Sequence, residues 1–372
     1  MRKLLILLSL PLFLAAGSYE YPMLYKDTRV MARGGTDIAI GGEASALFSN
    51  PAGLAAMYLE EDLELEIVNF GVGLSGGFLG FYTTYNENAD LLATDTEAFI
   101  DAMTPHKKSN FHLSTNDFTS LSYRGEEFAL SIGLLAGIEA NFIPHLSLGA
   151  DGLIEAHLRT LTILAMGASY DVTYDLSVGV GAKIINGFNK AASINLVSTG
   201  SIPSDFTTLG DYTAVVYDVG ALYFLDALIE ELRPFEPLLG VSVQNIGGIS
   251  MPQFYADIPM TVNVGLTLRP VLPLFEDWRF AVDYIDVLNA YDAKLDADIF
   301  KRLRLGMTAN VFRNDIVQLA GSFGAYNSAP TFGIQARWAV LELSLATYAE
   351  EIGAFAGQNQ DRRYQLSIVT GF

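Results

Sequence analysis

The chain has 372 residues, a formal charge of −20, no cysteine, and 51% hydrophobic against 17% charged residues. That hydrophobicity excludes a disordered chain, the acidic balance argues against a nucleic-acid partner, and the missing cysteines exclude disulfides and cysteine-ligated zinc. A chain both apolar and acidic must keep its apolar residues in transmembrane helices, a large core or a membrane-embedded sheet.

The only long apolar run is at the start. Arg2 and Lys3 precede Leu4 to Leu14, and Ala15, Ala16, Gly17 and Ser18 follow. This is the layout of a cleavable signal peptide over residues 1–17, too short to span a bilayer. Residues 18–60 form a second unit, rich in Gly, Ala and Ser from 31 to 57. It carries the pairs Gly34–Gly35 and Gly41–Gly42 and the sequence Asn50-Pro51-Ala52-Gly53. Small residues allow close backbone approach and positive φ, and Pro51 restricts both itself and Asn50. Such a segment suits a hatch inside a narrow lumen or a plain arm packed under a barrel, and composition leaves both open.

From 61 to 372 the period is two. Strands are expected near 62–73, 76–86, 118–125, 127–139, 146–158, 162–173, 176–188, 213–225, 237–246, 259–269, 278–284, 302–311, 315–326, 331–340, 340–349 and 362–372. In 259–269, Met260, Val262, Val264, Leu266 and Leu268 share one face, opposite Thr261, Asn263, Gly265, Thr267 and Arg269. Many runs reach the 9–11 residues that a tilted strand needs to cross a bilayer, and the polar face carries full charges. These polar-face residues are the lumen candidates: Asp151, Glu155, His157, Arg159, Arg302, Arg304, Gln335 and Arg337. A barrel with an apolar exterior and a polar lumen fits better than a soluble sandwich. Residues 87–116 read as an acidic, helix-capable and then polar loop. Residues 225–236 read as a short amphipathic helix ended by Pro234. Both are expected as external loops, with 286–301 and 350–362 as further charged loops. At the end, Tyr364, Leu366, Ile368 and Phe372 share a face, the pattern of a C-terminal β-signal of outer-membrane proteins.

Three motifs point to other chemistry and lack its context. Gly71-Val-Gly73-Leu-Ser-Gly76 matches GxGxxG, but the residues after it read as strand, whereas a dinucleotide site needs a helix there. His106 and His112 sit in the polar loop candidate without a supporting metal pattern. His157 shares the polar face with Glu155 and Arg159, but no GxSxG elbow accompanies it, so a lumenal hydrogen-bonding role fits it better than catalysis. The acidic groups at 60–66 and 90–101 read as solvated surface.

The A-R-G-G…N-P-A-G pattern between Ala32 and Gly53, followed by a barrel ending on Phe, resembles the FadL-like superfamily of outer-membrane transport proteins, with PorV-like and TraF-like exported barrels as near relatives. The resemblance implies an all-β transmembrane antiparallel β-barrel of about 14 strands (61–372) with an N-terminal hatch segment in the lumen. Asn50, Pro51 and Ala52 carry over as hatch residues, with the four paired glycines. It implies a non-enzymatic channel in the bacterial outer membrane for small hydrophobic compounds of the fatty-acid or hydrocarbon type, gated by the hatch, with sideways release through the wall. The alternative is a PorV-like scaffold or shuttle for exported proteins. Expected partners are outer-membrane lipid and lipopolysaccharide, a hydrophobic small molecule and the barrel-assembly machinery. No nucleic acid, cofactor, metal or catalytic residue is expected.

Overall fold

The computed structural model describes residues 20–371 apart from 22, 58–62, 107–109, 146–152, 196–206, 252–256, 292–297, 315 and 354. The expected signal peptide, Asp151 and Phe372 lie outside the described residues. Fourteen antiparallel strands close one barrel: β1 Leu63–Ser75, β2 Phe111–Arg124, β3 Phe128–His145, β4 Leu153–Thr173, β5 Leu176–Asn195, β6 Thr207–Phe224, β7 Leu238–Ile246, β8 Thr261–Leu268, β9 Glu276–Tyr284, β10 Leu303–Arg313, β11 Val317–Tyr326, β12 Ala329–Trp338, β13 Leu341–Glu351 and β14 Gln360–Gly371. Each strand pairs with its chain neighbours. The seam closes with β1 on β14, Phe70 opposite Ile368 and Leu74 opposite Tyr364.

Sixteen expected runs become fourteen strands for two reasons. The described part of run 146–158, from Leu153, and run 162–173 fall on the single strand β4, and 76–86 falls mostly on a helix. Phe78, Phe81, Tyr82 and Tyr85 together follow a helical spacing, although each i,i+4 pair alone also shares a strand parity. In α2 (Phe78–Thr94) they form the i,i+4 ring pairs Phe78–Tyr82 and Phe81–Tyr85, with centroids 6.5 and 6.4 Å apart. α3 (Thr96–Met103) follows, capped by Asp95. A helix therefore does follow GxGxxG. However, Gly71 and Gly73 are laddered in β1 opposite Asn116 and Ser114, so the glycines form no phosphate-cradling loop. Residues 111–116 belong to β2, not to a loop, which places His112 in the wall. Residues 225–236 form two 3-10 turns, Leu225–Ala227 and Glu230–Phe235, separated at Ile229, whose backbone is extended (φ −132°, ψ 92°). They join β6 to β7 at the end of the tight turns, not among the external loops.

The two ends of the barrel differ. Tight turns join β2 to β3, β4 to β5, β10 to β11 and β12 to β13 at one end, and most connections at the other are longer, including α2–α3. This asymmetry is usual for outer-membrane barrels. The faces alternate as expected. In β8, Thr261, Asn263 and Thr267 are buried beneath partly exposed Val262, Val264 and Leu266. In β14, Tyr364, Leu366 and Ile368 point outward while Gln365 and Ser367 are buried. The exterior is a continuous apolar band that includes Leu345, Phe332 and Ile334, at least half exposed. Leaving each such side chain in water would cost about 1.5–3 kcal/mol, so the band requires lipid.

The wall is uneven in height. β3 to β6 run 18, 21, 20 and 18 residues, and β7 to β9 run 9, 8 and 9. β6 pairs with β7 only from Tyr217 onward, whereas its pairing with β5 reaches Thr207. A step therefore opens in the wall beside β7. There a bulge holds Asn245 at φ 55°, and its amide donates to Asp218 at 2.8 Å.

Candidate functional site: the occupied lumen

The lumen is filled by the N-terminal segment. It comprises α1 (Thr28–Ala32) and two 3-10 turns, Ala44–Phe48 and Pro51–Ala56. Asp27 caps α1 by accepting from the Arg29 amide at 2.8 Å. Asn50 caps the second 3-10 turn, with Pro51 in its first turn. Gly34 sits at φ +72°, where a Cβ would strike the Leu305 carbonyl, so only glycine suits this turn against the wall. Gly35, Gly41 and Gly42 also have positive φ.

The wall is shaped to receive this backbone. Gly179 and Gly220 lie against Asn50, Pro51 and Ala52; Gly240 and Gly265 against Ile38 and Ala39; Gly306 and Gly324 against Arg33 and Gly34; Gly333 against Ala32. All seven glycines occupy inward positions of their strands. The segment thus lies against the inner face of the barrel wall.

Directional bonds lock the contact. Asp283 accepts from the amides of Asp37 (2.7 Å) and Ile38 (2.9 Å). Asn50 donates to the carbonyls of Ile38 (2.8 Å) and Ala221 (3.2 Å) and accepts from the Ala52 amide (3.1 Å). Gln244 donates to the Ser49 carbonyl, Thr331 to that of Ala32 and Arg304 to that of Gly35. Ion pairs add to these. Arg363 is fully buried against Glu20 (2.8 Å) and Asp361 (2.9 Å), Lys26 pairs with Glu20 and Glu350, and Arg29 reaches Glu66 at 3.2 Å. Replacing Asp283 by leucine should leave two buried amides without an acceptor, at about 1–3 kcal/mol each. The expected result is faster amide exchange at Asp37 and Ile38 with an unchanged barrel, read by hydrogen-exchange mass spectrometry.

Acid should loosen the segment. Burial alone would raise Glu20, Asp27 and Glu43, but Arg363 and Lys26 hold Glu20, Arg29 holds Asp27, and Arg33 with Arg29 holds Glu43 below the ordinary carboxylate range. Asp37 moves the other way, raised chiefly by burial. A depressed carboxylate contributes stability above its unfolded value of about 4, lost as pH falls through the lower folded value. Asp37 contributes in the opposite sense, present below its unfolded value and lost as pH rises through the raised one. Protonation of Glu20, Asp27 and Glu43 removes their pairs with Arg363, Lys26, Arg29 and Arg33, so protection of residues 23–57 should persist at pH 6 and fall below about pH 4. Equal exchange protection at pH 6 and pH 3, after correction for intrinsic rates, would contradict this.

Cavities remain between the segment and the wall among the described residues. One of about 70 Å³ is lined by Tyr21, Leu24, Tyr25, Phe48, Ile258, Ile285 and Tyr291, with Asp27, Asp37, Lys183, Asn245 and Arg304 at its margin. Its rings pack closely, Tyr21–Tyr291 at 4.5 Å and Tyr25–Phe48 at 5.2 Å. A second, of about 60 Å³, lies between Leu24 and Leu161. A third, of about 390 Å³, is polar and sits at the tight-turn end, with Arg33, Arg269, Arg279 and Arg337 in its wall. Outside, an apolar hollow of about 730 Å³ crosses from β9 to β1, lined by Trp278, Phe323, Phe332 and Leu366 among others.

The structure disperses the expected lumen residues. His157 is buried in β4 opposite Asn141, and Arg159 pairs with Glu139 at 2.6 Å. Glu155 lies in β4, with its side chain outside the description. Gln335 and Arg337 line the large polar cavity, while Arg304 borders the aromatic one. Arg302 departs from expectation: it closes a short helix, α4 (Ile299–Arg302), and donates to the Asp286 carbonyl at 3.1 Å. Asp298 caps that turn through the Phe300 amide, which delays the strand to Leu303. His112 bonds Asn141 in the lumen and His106 bonds Thr84 in the external loop, so the two do not converge. Sequence reading missed Asp283, the Lys183–Asp218 pair at 2.7 Å and the Arg363 cluster. It also missed the glycines of the wall, whose signal was their place on the polar parity.

These features define a transmembrane β-barrel of the outer-membrane type with its lumen occupied from the N-terminal side. Its fold is that of FadL-like hydrocarbon channels. The toluene transporter TbuX of Ralstonia pickettii superposes with a TM-score of 0.52 at 13% identity, covering 93% of this chain and 97% of that one. A deletion mutant of the monoaromatic hydrocarbon channel TodX gives 0.55 at 12% identity, covering 93% and 98%. The toluene transporter TodX of Pseudomonas putida gives 0.50 at 12%, covering 93% and 97%. No family pattern and no curated protein matches the sequence.

Proposed function

We propose that the protein is a non-enzymatic outer-membrane channel for small hydrophobic compounds of the hydrocarbon or fatty-acid type, with residues 18–60 as its hatch. The observation that carries this reading is the aromatic cavity roofed by the N-terminal segment and bordered by Asn245 at the β7 bulge. A solute released from that cavity meets the low wall of β7 to β9 and leaves sideways into lipid. The likeness in fold to toluene transporters supports the same class of solute. At about 70 Å³ the cavity is smaller than a benzene site of about 150 Å³, so the hatch must shift for passage.

Uptake of radiolabelled toluene and oleate by cells producing the protein tests this, with Ile285→Trp as the blocked form. Expected are faster uptake of at least one probe over cells carrying the empty vector and a several-fold loss in the variant. Uptake equal to the empty-vector rate for both probes would overturn it. The ion-paired part of the lumen around Arg363, Glu20, Lys26 and Glu350 supports a second reading, a PorV-like scaffold for exported proteins. That reading requires crosslinking in cells to return a defined exported protein.

A further inference from the structure

We infer that Arg269 and Arg279 form a binding site for an oxyanion, a carboxylate or a phosphate group, in the 390 Å³ cavity at the tight-turn end. The ladder of β8 on β9 ends with Leu268 opposite Phe280, and Arg269 and Arg279 are the next residues beyond that last pair. Both stand on the inward parity, with Thr267 and Ala281 the neighbouring inward residues, and both line the cavity. Like charges directly opposite on neighbouring strands are destabilising. Among the described residues neither arginine makes an ion pair; Asp277 acts on both only through space, as do Glu236 on Arg269 and Glu43 on Arg279.

The cavity also holds the carboxylates Glu43, Glu64, Asp277 and Glu342, none of which forms an ion pair with Arg269 or Arg279, and Glu342 accepts from Ser344 at 3.0 Å. Asp277 accepts from Arg313 at 3.0 Å and Asn310 at 2.7 Å. Glu43 lies 3.4 Å from Arg33 and 3.8 Å from Arg29. Arg269 spends one donor on the Ile40 carbonyl at 3.1 Å, and its Nε is buried without a hydrogen-bond partner. A guanidinium offers five donors in a fixed fork that matches carboxylate and phosphate, so two opposed forks make a clamp suited to such an anion. The chain carries −20 overall, so a diffuse positive field is not what gathers the anion. The attraction is local to this pair. The site does not depend on the transport reading, since a channel or a scaffold would carry it equally.

Calorimetric titration of the full barrel, in zwitterionic detergent at fixed ionic strength, tests the site. Inorganic phosphate and acetate are the two probes, and Arg279→Gln and Arg269→Gln are the variants. Arg362→Gln, remote from the cavity, is the control. Expected is saturable binding of at least one probe, weakened tenfold or more in each site variant and unchanged in the control. The thermal midpoint of the parent protein should rise with that probe, while the midpoint of a folded site variant should not respond. Binding of phosphate alone assigns the site to phosphate groups, and binding of acetate as well assigns it to oxyanions in general. If Arg279→Gln does not fold, Arg269→Gln decides. Absence of saturable binding for both probes, or binding retained in the folded variants, overturns the proposal.

Discussion

The Gly179→Val variant should lose its seated N-terminal segment while keeping its barrel. A Cβ at position 179 would strike the Ala52 nitrogen and the Pro51 carbonyl carbon, both backbone atoms with no rotamer to yield. β5 cannot retreat, because it is laddered to β4 on one side and β6 on the other. The 3-10 turn must move instead, and its movement breaks the Asn50 bonds to Ile38, Ala221 and Ala52. Overpacking costs about 1–3 kcal/mol and each orphaned buried group about 1–3 more. Local units open at free energies from near zero up to the global value, so a loss of that size favours the unseated state of the segment. Trypsin should then cut at Arg29 and Arg33 in the variant and spare them in the parent, with the heat-modifiable barrel band unchanged. Ionic conductance in planar bilayers should rise in parallel. Equal protection of the two arginines in both proteins would show that the wall glycines do not hold the segment.

Arg363→Met should weaken the whole barrel. Arg363 is fully buried near the seam and donates to Glu20 at 3.0 and 2.8 Å and to Asp361 at 2.9 Å. Its removal leaves two buried carboxylates short of charge, and Lys26 cannot compensate both. Breaking a buried ion pair from one side costs about 3–5 kcal/mol. The urea midpoint of refolded barrels should fall accordingly. Glu20→Gln in the same chain should restore part of the loss, since the uncompensated charge is then gone. If the double variant is as unstable as the sum of the two single ones, the cluster is not coupled as described.

The faces of the strands were legible because each residue has two environments. Lipid and lumen select opposite polarities at alternate positions, and Val262, Asn263, Val264 and Gly265 record that choice one by one. Lengths were less legible. The outer end of β2 reads Phe-His-Leu-Ser-Thr-Asn, too polar to stand out from a loop, and its apolar face is covered by α2 through Phe81 on Phe111 at 4.1 Å. The helix itself was hidden because its ring pairs also suit a strand. In the lumen, Asn50-Pro51-Ala52 was visible as a local pattern. Its seat was not, since Gly179, Gly220 and Asp283 are brought to it only by closure of the sheet. A glycine on the polar parity of a strand is the trace such a seat leaves in sequence.

The uneven wall also bears on the membrane around it. Strands of 8 or 9 residues, tilted about 45°, rise roughly 20 Å along the bilayer normal, whereas the apolar belt of such barrels is about 25 Å tall. Lipids beside β7 to β9 must compress to meet them, at a fraction of a kcal/mol per Å, and lipids beside β3 to β6 need not. The protein therefore wears a lopsided collar of thinned membrane.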